Sequence, residues 1–170
     1  MKKILFICTG NTCRSAMAEG IFNALMKQAE GLNGNYEAAS AGIAAVEGCL
    51  ASTNAIKVLR EEWGIDLSRH LSKGVVREDI YTSELILVMT REHKKMLISL
   101  FPEAAGRIFT LKEFAAGYEQ DPGRQEYDYT LDVSDPYGMN EKGYKKCAEE
   151  LRLAIGKVME RLIKNQGTEK

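Results

Sequence analysis

The chain has 170 residues, 45% of them hydrophobic and 28% charged, the mixture of one compact globular domain rather than of a disordered chain. Lys plus Arg number 23 and Asp plus Glu 24, so the net charge of −1 lacks the basic surplus of a general nucleic-acid binder. The longest apolar runs, Ile4 to Cys8 and Leu85 to Met89, fall far short of the roughly 20 residues that cross a bilayer.

Lys2 and Lys3 ahead of Ile4-Leu5-Phe6-Ile7 look like the start of a signal peptide, but Thr9, Gly10 and Asn11 end the apolar stretch too soon. The expectation is a cytoplasmic protein, with neither a membrane nor a nucleic acid as partner. In a reducing compartment Cys8, Cys13, Cys49 and Cys147 read as thiols rather than as a disulfide framework. No Cys-x-x-Cys pair occurs and neither His70 nor His93 completes a zinc spacing, so no metal or other cofactor is expected.

Ile4 to Ile7 is a continuous run of strand formers, as in a parallel strand buried on both faces. From Arg14 the period changes. Met17, Ala18, Ile21, Phe22 and Leu25 recur at helical spacing, with Gly31 and Asn33-Gly34 as the stop. Tyr36 to Ser40 is a weaker strand. Ser52 can cap a helix that turns Ala55, Ile56, Leu59 and Trp63 inward and ends before Gly64. Leu85 to Met89 is the second strong strand. Thr90 then caps a helix with Met96, Leu97 and Leu100 inward, closed by Pro102, and Arg107 to Thr110 is a short strand. A long helix runs from about Asn140 to Lys164 on the stripe Tyr144, Cys147, Leu151, Ile155, Val158 and Leu162. Strands alternating with helices predict an α/β fold over residues 1–170, with a parallel sheet and ligands beyond the carboxyl ends of its strands.

Between Tyr118 and Asp135 stand six acids, Glu119, Asp121, Glu126, Asp128, Asp132 and Asp135, against the single base Arg124. The segment lacks a period and carries Pro122, Gly123 and Pro136. It reads as a long exposed loop over 118–138, either functional or simply a solvated acidic surface.

The stretch that carries chemistry is Cys8-Thr9-Gly10-Asn11-Thr12-Cys13-Arg14-Ser15. It follows a buried strand and opens a helix, which places a turn of backbone N–H groups at a helix N-terminus. Gly10 admits backbone conformations closed to other residues. The triphosphate loop Gly-x-x-x-x-Gly-Lys-Ser/Thr is absent. Instead an Arg follows the Cys after five intervening residues, with a Ser next. If the loop curls around the Cys8 sulfur, Arg14 can offer two parallel hydrogen bonds to phosphate oxygens. The same donors favour a thiolate: a free thiol titrates near about 8.5 and thiols at helix N-termini reach roughly 3.5–7.5, so Cys8 is predicted to be acidic, with Ser15 as a further donor. Such a thiolate would attack phosphorus in line and form a phosphocysteine that water then hydrolyses. Alone, Cys8 would read as a small core residue. A leaving phenolate or guanidine nitrogen needs a proton, and Asp135, before Pro136, is the candidate general acid. Spacing alone leaves Asp135 open between that role and an ordinary turn residue. Tyr137 could form an aromatic wall.

The N-terminal Cys-Thr-Gly-Asn-Thr-Cys-Arg-Ser together with Asp135-Pro136-Tyr137-Gly138 resembles the low-molecular-weight protein tyrosine phosphatase family. The likeness extends over nearly the whole chain, through Ser40-Ala41-Gly42, Ser68 to Ile80, and Leu85 to Thr90. It implies a four-stranded parallel sheet flanked by helices in three layers, with the phosphate-binding loop, residues Thr9 to Ser15, between the first strand and first helix. It implies Cys8 as nucleophile, Arg14 as phosphate ligand, Asp135 as general acid, and phosphorylated proteins as partners. It also implies that Asn11, Ser15, Ser40 and His70 support the loop, and that Cys13 can trap Cys8 as a reversible disulfide; a buried thiol holding the loop is the alternative for Cys13. Thr12, where phosphotyrosine enzymes usually carry a larger aliphatic residue, resembles the bacterial protein arginine phosphatase branch. A small hydroxyl can accept from a guanidinium, whereas an aliphatic group packs better on a phenyl ring. That branch often has Phe where Tyr137 stands.

The first reading is therefore a phosphoarginine phosphatase and the second a phosphotyrosine phosphatase. A thiol-dependent arsenate reductase shares the fold but needs further cysteines near the site, and Thr90-Arg91-Glu92-His93-Lys94 holds none. A phosphate-sensing module that binds without turnover is the non-enzymatic reading.

Overall fold

The apolar run near the N-terminus becomes the central strand of the molecule. In the computed structural model, which describes residues 1–29, 35–119 and 128–166, β1 (Lys2–Cys8) pairs on one side with β2 (Tyr36–Gly42) and on the other with β3 (Ser83–Val88). β4 (Ile108–Thr110) adds to β3, so the order is β2-β1-β3-β4 with every pair parallel. Ile4, Leu5, Phe6 and Ile7 are wholly buried, as a strand covered on both faces requires.

Alternate residues of the strands feed two cores. Ile4, Phe6, Leu85 and Leu87 face one side with α1 (Arg14–Gln28) and α6 (Glu141–Gln166). The Phe6 and Phe22 rings meet there at 5.8 Å between centroids. Leu5, Ile7, Ile86 and Val88 face the other side, against Ile80 of α3 (Arg77–Thr82) and Leu97 of α4 (Arg91–Leu100). α2 (Thr53–Trp63) joins the first core through Ala55, Val58 and Leu59, with Ile56 and Trp63 packed at its edge. It is capped as expected: the Ser52 hydroxyl accepts from the Ala55 amide and Gly64 closes it in the left-handed conformation. The stripe predicted for α6 is buried along its whole length.

Two expectations are corrected, and short elements without a sequence signal are added. In α4 the buried side chains are His93 and Leu97, whereas Met96 and Leu100 are exposed. The helix is amphipathic on the face that starts at His93, four residues before Leu97, and that polar start hid the true stripe. The short helices α3 and α5 (Leu111–Ala116) and two 3-10 turns, Pro102–Arg107 and Tyr129–Leu131, carry no full hydrophobic period and left no sequence signal. The acidic segment is not one exposed loop, because Leu131 and Val133 are buried. Its residues 120–127, with Asp121, Pro122, Gly123, Arg124 and Glu126, lie outside the described residues, as do Gly31, Asn33 and Gly34. Among the described residues no helix is long and apolar enough to cross a membrane.

Gly42 ends β2 directly beside Cys8 in the sheet register. A Cβ there would fall 2.5 Å from the Thr9 carbonyl oxygen, 2.8 Å from Ala45 Cβ and 3.1 Å from the Asn11 nitrogen. These are mostly backbone atoms, which cannot swing aside. Gly42→Ala should therefore cost roughly 1–3 kcal/mol, as overpacking does. Thermal unfolding checks this, with Gly106→Ala, which enters open space, as the variant expected to stay near wild type.

Candidate active site

β1 ends at Cys8 and α1 begins at Arg14, so the intervening residues must turn back within one short loop. The turn is made at Asn11, whose φ of 57° is left-handed, a conformation Asn tolerates better than most residues. Asn11 is fully buried, and each of its polar groups has a partner. Its backbone N–H donates to Cys8 Sγ at 3.3 Å, and its Nδ2 donates to Ser15 Oγ and Ser40 Oγ at 2.9 Å each. Its Oδ1 accepts from the Lys73 amide at 3.0 Å. Its carbonyl accepts from His70 Nε2 at 2.7 Å, which places a proton on that nitrogen. Ser40 in turn donates to the Glu19 carboxylate.

Cys8 Sγ lies 2.9 Å from Ser15 Oγ. The Ser15 oxygen accepts from Asn11 Nδ2, and its one hydrogen has two acceptors in reach, the Cys8 sulfur at 2.9 Å and the Ala41 carbonyl at 3.5 Å, of which the sulfur is the nearer. Cys8 thus has the Ser15 hydroxyl of the first turn of α1 and the Asn11 amide of the preceding loop beside it, at a helix start where the dipole favours negative charge. Cys147 lies on the buried stripe of α6, where burial and then Glu150 push its thiol up to about 12.

Arg14 is buried, and its guanidinium is held from the far end of the chain. Nη1 donates to the Val133 carbonyl at 3.1 Å and Nη2 pairs with Asp135 Oδ2 at 3.3 Å. The other Asp135 oxygen accepts from the Tyr137 amide at 3.1 Å. Cys8, Thr12, Arg14, Asp135 and Tyr137 together line a cavity of about 250 Å³. The two ends of the sequence motif therefore meet at one pocket, with Thr9, Gly10 and Cys13 on its wall and Asn11, Ser15, Ser40 and His70 behind it. Tyr137 is an open wall, 79% exposed. A larger cleft, about 630 Å³, lies between α1 and the segment from Trp63 to His70, but no cysteine lines it.

Cys13 is a free, buried thiol with Sγ 3.2 Å from Tyr144 Oη and 3.5 Å from Ser52 Oγ. Burial, and then the contact with Cys13, pushes the Tyr144 hydroxyl up to about 12. The Ser52 amide also donates to the Thr12 carbonyl at 2.9 Å, so α2 and α6 both brace the loop from its outer side.

A model of the family described as low molecular weight phosphotyrosine protein phosphatase matches residues 3–168. The chain belongs to that family. A protein-arginine-phosphatase from Geobacillus stearothermophilus is 38% identical, over 96% of this chain and 98% of its own length. A crystal structure named as a low molecular weight protein tyrosine phosphatase, from T. tengcongensis, is 46% identical with a TM-score of 0.82, covering 95% of this chain and 99% of that one. An arginine phosphatase structure in which the active-site cysteine is replaced by a phosphorylated serine is 34% identical with a TM-score of 0.83, covering 95% and 96%.

Sequence reasoning missed Glu19, Ser52, Tyr144, Arg91 and, above all, His93. His93 is buried, and its Nε2 lies 2.8 Å from Thr9 Oγ1, so it props the first residue of the loop between β1 and α1. The Thr90 cap was legible and places His93 at the third helical position, which is the signal that could have found it. Burial, and then the Arg14 charge, lowers His93 from its ordinary 6.5 to about 4, against the opposing pull of Asp135 and Asp132. Between about 6.5 and about 4 the unfolded chain then binds a proton that the folded chain refuses, so stability falls as pH drops through that window. Denaturant midpoints at several pH values should show a shallower decline for His93→Gln than for wild type.

Proposed function

We propose that the chain is a cysteine-dependent protein phosphatase whose substrate is phosphoarginine. The observation that carries the specificity is Thr12 on the wall of the pocket that holds Cys8 and Arg14, where a small hydroxyl can accept from a guanidinium N–H. Similarity to the Geobacillus arginine phosphatase supports the same reading.

The chemistry follows from the geometry. Loop amides and the Arg14 guanidinium hold the phosphoryl oxygens, and the Cys8 thiolate attacks phosphorus from beneath. A P–S bond forms as the P–N bond breaks, and Asp135 gives its proton to the leaving guanidine nitrogen. A phosphoryl dianion competes with Asp135 for Arg14, so binding loosens the 3.3 Å ion pair and leaves the acid group free to hold that proton. In the second step Asp135, now a carboxylate, takes a proton from water. The water oxygen attacks phosphorus, the P–S bond breaks, and inorganic phosphate leaves with the thiolate restored. The side chains of Asn11, Ser15, Ser40 and His70 hold the loop in shape. The partners are phosphorylated proteins, and the setting is the cytoplasm.

Turnover of phosphoarginine and phosphotyrosine peptides, measured side by side, tests the assignment, with Cys8→Ser expected to abolish both. Asp135→Ala should slow hydrolysis by roughly 10²–10⁴-fold where the leaving group needs a proton, and far less where it does not. Thr12→Ile should move the preference toward phosphotyrosine by roughly tenfold or more, the scale of a pocket methylene exchange. An unchanged preference would remove the argument from Thr12. The phosphotyrosine reading has its own support in Tyr137 at the pocket and in the T. tengcongensis relative; it wins if wild type turns over the phosphotyrosine peptide faster.

Cys13, which lines the same pocket as Cys8, is proposed as a redox guard. Peroxide converts the Cys8 thiolate to a sulfenic acid, Cys13 attacks that sulfur with loss of water, and a thiol reductant restores both cysteines. Wild type should then recover activity after peroxide and reductant, and Cys13→Ser should not.

A further inference from the structure

The Asp135 carboxylate is itself poorly anchored: its side chain is 56% exposed, and its partners are Arg14, which substrate claims, and the nearby Tyr137 amide. What fixes its position must act through the segment that carries it. Three residues earlier, Asp132 is gripped by the first residue of α4. The Arg91 amide donates to Asp132 Oδ1 at 2.8 Å, Arg91 Nε donates to the same oxygen at 3.2 Å, and Arg91 Nη2 donates to Asp132 Oδ2 at 3.2 Å. The carboxylate thus caps the N-terminus of the ten-residue α4 from outside the helix and accepts a forked guanidinium at the same time. The guanidinium carbon also lies 4.3 Å from the centre of the Tyr129 ring, so one side chain binds both ends of the short turn that leads into the acid segment. Next to Asp132, Val133 is pinned on both sides: its amide donates to the Met89 carbonyl at 2.8 Å and its own carbonyl accepts from Arg14.

We infer that Arg91 and Asp132 are positioning residues for catalysis, a clip that ties the acid-bearing segment to the end of β3 and the start of α4 and so sets where the Asp135 proton sits relative to the Cys8 sulfur. The inference rests on the reading of Asp135 as general acid. Its physical basis is geometric. The bonds of the clip given above reach neither Cys8 nor the residues from Thr9 to Ser15, and Arg14 meets the clipped segment only through the Val133 carbonyl and Asp135, so phosphate binding should depend on the clip less than proton delivery does. Proton delivery depends on it because a misplacement of about 1 Å can cost on the order of a hundredfold in rate. One sequence signal points the same way: Arg91 sits directly after the Thr90 cap, where a cation is disfavoured by the helix dipole unless a carboxylate is brought to it.

The experiment compares kcat/KM of wild type, Arg91→Ala and Asp135→Ala on a phosphoarginine peptide and on an aryl phosphate whose phenol leaves without a proton, together with the inhibition constant of inorganic phosphate. Arg91→Ala should lose roughly ten- to hundredfold on the phosphoarginine peptide. It should lose less than about threefold on the activated aryl phosphate and keep its inhibition by phosphate, because Arg14 still holds the anion. The double variant Arg91→Ala/Asp135→Ala should be no slower than Asp135→Ala alone, since positioning an absent acid has no value. Equal losses on both substrates, or no loss on either, would overturn the inference and make the clip a stability device only. If Asp135→Ala is selective for the poor leaving group and Arg91→Ala is not, the clip fails while the general acid stands. If Asp135→Ala is not selective either, the underlying reading fails. Asp132→Asn, which keeps the size of the side chain, repeats the test if Arg91→Ala does not fold.

Discussion

The site depends on one buried amide side chain. Asn11 turns the backbone at φ 57° and satisfies every polar group it carries, and in doing so it joins Cys8, Ser15, Ser40, His70 and Lys73. A buried amide left unpaired is costly, so these bonds hold as a set. The strand, the first helix, the end of β2 and the segment around His70 are thereby locked to a single loop shape. The Asn11 amide directed at the Cys8 sulfur is a consequence of that lock.

The second constraint is electrostatic. A single buried guanidinium, Arg14, is shared between the Val133 carbonyl and the Asp135 carboxylate. It ties the segment from Val133 to Asp135 to the start of α1, and in the function proposed above it is also the group that engages the phosphoryl. The neutral ring of His93 fits this field: a second cation buried beside Arg14 would be repelled, and burial alone already disfavours it. The same chain therefore holds thiols in opposite surroundings. Cys147 is embedded in the apolar stripe of α6, whereas Cys8 faces donors at a helix start.

Much of this was legible in the sequence because it is local. Ile4 to Ile7 is apolar without alternation, which only a strand buried on both faces needs. The α6 stripe recurs faithfully at helical period. Cys8, Gly10, Arg14 and Ser15 stand at offsets that a loop between strand and helix can use. Other features failed to register for equally physical reasons. α3, α5 and the 3-10 turns are shorter than one hydrophobic repeat. Met96 and Leu100 matched an inward stripe by chemistry, but the helix presents His93 and Leu97 to the core instead. The acidic segment read as solvated because its charges outnumber its apolar residues, yet Leu131 and Val133 are what dock it.

The sequence by itself determined the fold class and the tight turn from Cys8 to Arg14, since strand, turn and helix preferences act between near neighbours, and the resemblance carried by two motifs specific in residue type paired that turn with Asp135. Only the tertiary structure decided who holds them. Glu19 beneath Ser40, His93 beneath Thr9, Tyr144 and Ser52 beside Cys13, and Arg91 on Asp132 are contacts between residues distant along the chain. Such contacts leave no period and no spacing to read. They exist because packing the helices onto the two faces of one sheet brings those polar groups together where water is excluded and each needs a partner.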